Sequence, residues 1–182
     1  MNKPRIYIDG KEGTTGLQIY DRLAGREDIQ LLLIDEDKRK DASERKRLMN
    51  EADLVFLCLP DAAAVEAVEL AENPATRIID ASTAHRTAPG WTYGFPELGA
   101  EQREAIRTAK RVANPGCYAT GFISLIAPLV RRGVLAPDAP LACHAVSGYT
   151  GGGKKAIAQY EAEDREAELV SPRHYAVTLA HK

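Results

Sequence analysis

RIYIDGKEGTTGLQIYDRL, residues 5–23, decides how the rest of the chain is read. Residues 5–9 form a short apolar run of strand length, which breaks at a loop with glycines at 10, 13 and 16. Leu17, Tyr20 and Leu23 then recur at helical spacing, so a helix is expected over 16–23. Glycines at a strand-to-helix turn permit a tight bend and a close approach of backbone to a pyrophosphate. The helix amino terminus adds free N–H groups and a positive dipole end. The spacing is GxxGxxG rather than GxGxxG, so its weight comes from its place at the opening of a βαβ unit. Gly10, Gly13, Thr14, Thr15 and Gly16 are the positions this reading assigns to a dinucleotide.

Outward from that loop, apolar runs and amphipathic stretches alternate. Strands are expected at 29–34 (IQLLLI), 54–59 (LVFLCL) and 77–80 (RIID), and helices at 43–51, 62–72 and 101–110. The first of these helices is heavily charged and reads as a surface helix. Alternation of this kind predicts an α/β, Rossmann-like doubly wound parallel sheet wrapped by helices. Beyond residue 116 the pattern changes. A long apolar helix at 118–131 is ended by Gly133, followed by a strand at 141–146 (LACHAV), a glycine-rich loop, a charged stretch at 156–168 and a strand at 173–179. The expected organisation is a dinucleotide-binding domain at 1–116 and the beginning of an α+β substrate domain at 117–182.

The chain has 182 residues, 45% hydrophobic and 27% charged, with a net charge of -2, a composition suited to a globular core. That charge leaves no electrostatic footprint for nucleic acid or an anionic membrane. The amino terminus lacks an apolar leader region and no apolar run approaches a membrane span, so a cytoplasmic setting is expected. Three widely spaced cysteines, with no CxxC pair and no zinc spacing among the four histidines, argue against a disulfide framework or a metal site.

Two signals bear on the choice of dinucleotide. Asp35 ends the second expected strand, where an acid would bind the ribose 2′-OH of NAD. Arg39 and Lys40 follow closely and could pair with the 2′-phosphate of NADP, although the run Lys38–Arg39–Lys40 among acidic neighbours also reads as a solvated loop. The signals disagree, and the residues alone leave NADP only slightly ahead.

Of the cysteines, Cys58 lies inside an apolar run and Cys143 inside an expected strand, and both read as core. Cys117 follows the turn signal Asn114-Pro115-Gly116 and precedes a helix. There the helix dipole and free N–H groups favour a thiolate and could hold a developing oxyanion. Beside a hydride carrier, such a thiolate can attack an activated acyl group and form a thioester, which hydride then reduces to an aldehyde. His144 reads as a satisfied core residue, and His85 and His174 carry no signal. Residues 148–154 have P-loop spacing, but Lys155 stands where a Ser or Thr must ligate magnesium. That loop either cradles an anion on its backbone or is simply flexible.

Five segments in order carry a resemblance: 9–16 (DGKEGTTG), 80–86 (DASTAHR), 93–97 (YGFPE), 114–120 (NPGCYAT) and 147–154 (SGYTGGGK). Together they resemble the N-acetyl-gamma-glutamyl-phosphate reductases of the shorter bacterial type. The resemblance implies an NADP(H)-dependent reductase of N-acetyl-L-glutamyl 5-phosphate that releases phosphate and yields the semialdehyde for arginine biosynthesis. It implies Cys117 as nucleophile, Arg39 and Lys40 as partners of the 2′-phosphate, and Ser82 beside the cofactor. Arg86 and Asn114 would meet the substrate, with Ser147, Gly148 and Lys154 cradling its phosphate. His181 would open a His-x-His motif whose acid/base histidine lies at one of its ends, and the chain stops before the second. The substrate domain of the family continues further, so the chain reads as carboxy-terminally truncated, and the intact enzyme as a homo-oligomer. Two rivals remain, an aspartate-semialdehyde dehydrogenase-like enzyme and a non-catalytic NADP-binding fragment. The first does not usually read Pro-Gly-Cys-Tyr around its cysteine.

Overall fold

Apolar runs of a few residues between turn signals are too short for helices, and four of them here pair as strands of three to five residues. The computed structural model describes residues 3–11, 13–172 and 174. Six parallel strands, β1 (Arg5–Asp9), β2 (Gln30–Leu32), β3 (Leu54–Leu57), β4 (Arg77–Asp80), β5 (Thr92–Tyr93) and β6 (Arg111–Ala113), lie in the order β2-β1-β3-β4-β6-β5. Helices α1 (Thr14–Ala24), α2 (Ala42–Glu51), α3 (Asp61–Leu70) and α4 (Ala100–Thr108) connect them, giving the expected doubly wound sheet. The chain steps from β1 to β2 on one side and returns to place β3 on the other. The carboxyl ends of β1 and β3 therefore flank a topological switch point, where open α/β sheets bind ligands.

Strand register places Tyr7, Val55 and Ile78 in one row across the sheet and Asp9, Leu57, Asp80 and Ala113 in the next row on the same face. Against that face pack Leu48, Met49 and Ala52 around the end of α2 and Ala67 of α3, all fully or almost fully buried. So α2 is more than a charged surface helix: Leu48 and Met49 each contribute about 2–3 kcal/mol of burial, while Arg47 pairs outward with Glu44 and Glu51. The helix starts where Asp41 accepts the N–H groups of Ser43 and Glu44 at 2.8 and 3.4 Å.

Several elements differ from expectation. β5 and β6 carry only two and three residues and no apolar run, so nothing in their pattern announces a strand. Residues 141–146 form no strand and lie exposed, because extended backbone without a ladder partner is not a sheet. Cys143 and His144, expected in the core, are therefore at the surface. In the same region α6 (Gly153–Glu161) follows a 3-10 turn at Tyr149–Gly152, whose Tyr149 stacks on Tyr160 at 5.2 Å. The expected strand at 173–179 lies outside the described residues. α5 (Cys117–Arg131) ends where Gly133, at φ 67°, donates to Val130, and it leaves Leu125 and Leu129 exposed. Among the described residues no helix is long and apolar enough to cross a membrane.

Candidate active site

At the end of β1 the chain turns through Gly10, whose φ of 85° suits glycine. A Cβ on Gly16 would stand 2.8 Å from the Cα of Lys11, so α1 starts pressed against the loop that feeds it. Gly13 donates to the Gly10 carbonyl at 3.0 Å and accepts from the N–H of Leu17 at 2.8 Å, capping α1. The N–H groups of Thr14, Thr15 and Gly16 then open the helix with no acceptor one turn earlier, as an anion site requires.

Above the switch point lies a cavity of about 320 Å³. Its wall includes Gly10 and Lys11 after β1, Arg39 and Lys40 after β2, and Leu59 after β3. The acid in that wall, Asp9, is buried and held by Arg45, with Nη2 at 2.7 Å and Nε at 3.2 Å from its Oδ2. Asp35, the candidate for a ribose hydroxyl, instead accepts from Lys38 at 3.2 Å. Lys11 lies over the ring of Tyr20 at 3.7 Å. Glycine backbone without side chains, cations on the wall and an acid already neutralised together fit a phosphate-bearing dinucleotide. Here Arg39 and Lys40 line one cavity with Gly10.

The second arm of the site is the cysteine turn. β6 ends at Ala113, whose carbonyl accepts from Gly94 at 2.8 Å, and the N–H of Asn114 donates to the carbonyl of Asp80 at 2.7 Å. Cys117 opens α5 and is exposed, behind the N-cap Gly116. The Gly116 carbonyl receives both the N–H and the hydroxyl of Thr120, at 2.9 and 2.8 Å. Arg86 Nε donates to the Asn114 carbonyl at 3.1 Å, and a Cβ on Gly116 would lie 2.6 Å from Arg86 Nη1. Arg86, distant in sequence, thus meets the turn of Asn114 and Cys117 to form one corner with a thiol, a helix amino terminus and a guanidinium. Such a corner can bind an anionic acyl group and attack its carbonyl carbon.

Around Asp80 the structure holds a cluster that sequence reasoning missed. This fully buried carboxylate accepts from the Ser82 N–H at 3.0 Å and the Ser82 hydroxyl at 2.6 Å, and meets His85 Nδ1 at 2.6 Å. Ser82 Oγ also accepts from the Ala84 N–H at 3.2 Å, so the hydroxyl expected beside the cofactor is turned into the protein. The available signal was an acid ending a strand, followed by Ser at the second and His at the fifth position after it. Cys58 is half-buried behind the glycine turn. Burial, with the negative charge of Asp80 and then Asp9, pushes its thiol up to about 12. Ser147 and Gly148 precede the 3-10 turn and Lys154 lies in the first turn of α6, and no hydrogen bond among the described residues joins them to the Cys117 corner. His181 lies outside the described residues.

Residues 5–109 match the family model for the semialdehyde dehydrogenase NAD binding domain. The chain belongs to the semialdehyde dehydrogenase family. Residues 117–182 match the semialdehyde dehydrogenase dimerisation domain. An N-acetyl-gamma-glutamyl-phosphate reductase of Trichormus variabilis is 56% identical over 186 aligned residues, covering 100% of this chain and 58% of the relative. The N-acetyl-gamma-glutamyl-phosphate reductase 2 of Pseudomonas putida is 52% identical over 182 residues, with the same coverage. This semialdehyde dehydrogenase-family chain therefore spans 58% of the length of those relatives. Among solved structures, aspartate semialdehyde dehydrogenase II from Vibrio cholerae superposes with a TM-score of 0.65 at 15% identity, over 98% of this chain and 57% of its own. That likeness is one of fold.

Proposed function

We propose that the chain carries the cofactor site and nucleophile of an NADPH-dependent reductase converting N-acetyl-L-glutamyl 5-phosphate to N-acetyl-L-glutamate 5-semialdehyde and phosphate. The observation that carries this reading is the corner of Cys117, Asn114 and Arg86, in a chain 56% identical along its full length to a relative bearing that enzyme name. Arg86 and the first N–H groups of α5 receive the anionic acyl phosphate, and Asn114 sets the edge of the turn against it. The Cys117 thiolate attacks the acyl carbon. A C–S bond forms, the bond to phosphate breaks and inorganic phosphate departs, leaving a thioester on Cys117. NADP(H), held by the loop Gly10–Gly16 with Arg39 and Lys40 on its 2′-phosphate, supplies when bound the hydride that reduces the thioester. The N–H groups at the start of α5 hold the oxyanion that develops there, and its collapse returns the thiolate to Cys117. His181 is the candidate proton carrier, and Ser147, Gly148 and Lys154 the candidate outer contacts of the substrate phosphate. The match to a dimerisation domain supports a homo-oligomeric intact enzyme, and its metabolic chemistry a cytoplasmic one.

The test runs the reaction in reverse, following NADP reduction with phosphate and either N-acetylglutamate semialdehyde or aspartate semialdehyde, with Cys117→Ser as control. Phosphate-dependent turnover of the acetylated aldehyde, lost in the variant, is the expected result. Turnover of the aspartate compound alone would overturn the substrate assignment. Silence with both, while NADP still binds, would leave these residues a cofactor-binding unit only.

A further inference from the structure

The loop between β4 and β5 is organised by one carboxylate. Asp80 has 0% exposure, and three donors converge on it: the N–H and hydroxyl of Ser82, and Nδ1 of His85. His85 is itself buried and lies flat against Trp91, with ring centroids 4.0 Å apart and planes 15° from parallel. On its main-chain side, Asp80 accepts the N–H of Asn114, the residue that opens the cysteine turn. Arg86 follows His85 directly and reaches back to the Asn114 carbonyl. The contacts close a ring: the Asp80 side chain holds the segment 82–85, that segment delivers Arg86, Arg86 holds Asn114, and Asn114 returns to Asp80.

We propose that Asp80 and His85 are positioning residues that seat the Arg86 guanidinium over Gly116 and so set the anion-receiving side of Cys117. An arginine on a free loop samples many rotamers, whereas one whose backbone is pinned a residue earlier and whose Nε is bonded presents its Nη groups in a narrow range. A buried carboxylate suits the task because it stays satisfied only while its donors keep their places. His85 Nδ1 faces the Asp80 carboxylate at 2.6 Å as its ring donor, and the stack on Trp91 fixes the plane of the ring. The inference rests on the reading that Cys117 receives an anionic acyl group beside Arg86.

The experiment compares, in the full chain, alkylation of Cys117 by anionic iodoacetate and neutral iodoacetamide. Each cysteine is resolved by peptide mass, and exposed Cys143 serves as internal reference. Arg86→Ala is expected to lower the iodoacetate-to-iodoacetamide ratio at Cys117 by about fivefold, the size of one unit-charge contact in water. Asp80→Asn is expected to lower it as far. His85→Asn, whose amide can donate from near the place of Nδ1, should keep the wild-type ratio, whereas His85→Phe keeps a ring on Trp91 without the donor and should lower it. If Asp80→Asn does not fold, the His85 pair carries the test. Trp91, the sole tryptophan, reports by its fluorescence whether a ring still stacks there. A role in stability alone would shift the melting temperature and leave the ratio at wild type in both Asp80→Asn and His85→Phe, which overturns the proposal. An unchanged ratio in Arg86→Ala would remove the anion reading and the proposal with it. The two failures are told apart by the variant in which they appear.

Discussion

Gly10 presses its α-carbon against the carbonyl group of Cys58, so close that a Cβ there would stand 2.9 Å from the carbonyl carbon. The φ of 85° adds a second reason for glycine. Gly10→Ala is expected to cost on the order of 2–3 kcal/mol and to abolish dinucleotide binding, measured by urea unfolding and calorimetric titration. Gly13→Ala, whose Cβ would come within 3.3 Å of the Gly10 carbonyl oxygen, should cost less. Equal small effects at both positions would show that the turn has slack.

Arg39 and Lys40 share a cavity with the glycine loop, while Asp35 is engaged with Lys38. Replacing both cations with alanine is expected to weaken NADP binding by roughly 10- to 100-fold, the range of one or two charge-assisted contacts. NAD binding should barely change. An equal loss for both dinucleotides would place the 2′-phosphate elsewhere.

The Asp9–Arg45 pair has side-chain exposures of 5% and 16%, so Arg45→Met leaves a buried carboxylate without its cation. The expected cost is about 3–5 kcal/mol. Asp9→Asn combined with Arg45→Met should recover much of it, and additive losses in that double-mutant cycle would mean that the pair is not coupled.

Cys58 and Cys117 should separate cleanly by reactivity. At pH 8 iodoacetamide should label Cys117 and spare Cys58, whose thiol burial pushes up to about 12. Because the folded thiol holds its proton more tightly than an unfolded cysteine near 9.0, this group favours the native state below pH 9. That contribution is lost as pH rises toward 12. Denaturant titrations between pH 9 and 12 should therefore fall more steeply for the wild-type chain than for Cys58→Ala, and parallel curves would contradict the burial.

Most of the sheet is legible because its strands are long or apolar enough to declare themselves. β1 and β4 lie where RIYID and RIID place them, and β3 within LVFLCL. What escapes detection is set by partners. Arg111–Ala113 is a strand because β4 and β5 flank it, whereas LACHAV, better patterned, has no neighbour in the described residues and is not one. At the site, the glycine loop and the turn before Cys117 are local in sequence and can be read there. The Asp80–Ser82–His85 cluster was also local, yet His85 carried no signal because a histidine gains meaning only from the buried acid it faces.

β6 is the sixth strand along the chain but fifth across the sheet, so the chain runs to the edge at β5 and turns back through α4 to fill the gap beside β4. The peptide leaving that inserted strand leads straight into Asn114 and Cys117. A nucleophile carried on an edge strand would fray with that edge. This one opens a helix just after a strand whose end is clasped from both sides, by the Asp80 carbonyl on the Asn114 N–H and by the Gly94 N–H on the Ala113 carbonyl. Those two amide protons should exchange with deuterium as slowly as the sheet's interior, tying local opening at the cysteine to opening of the sheet itself.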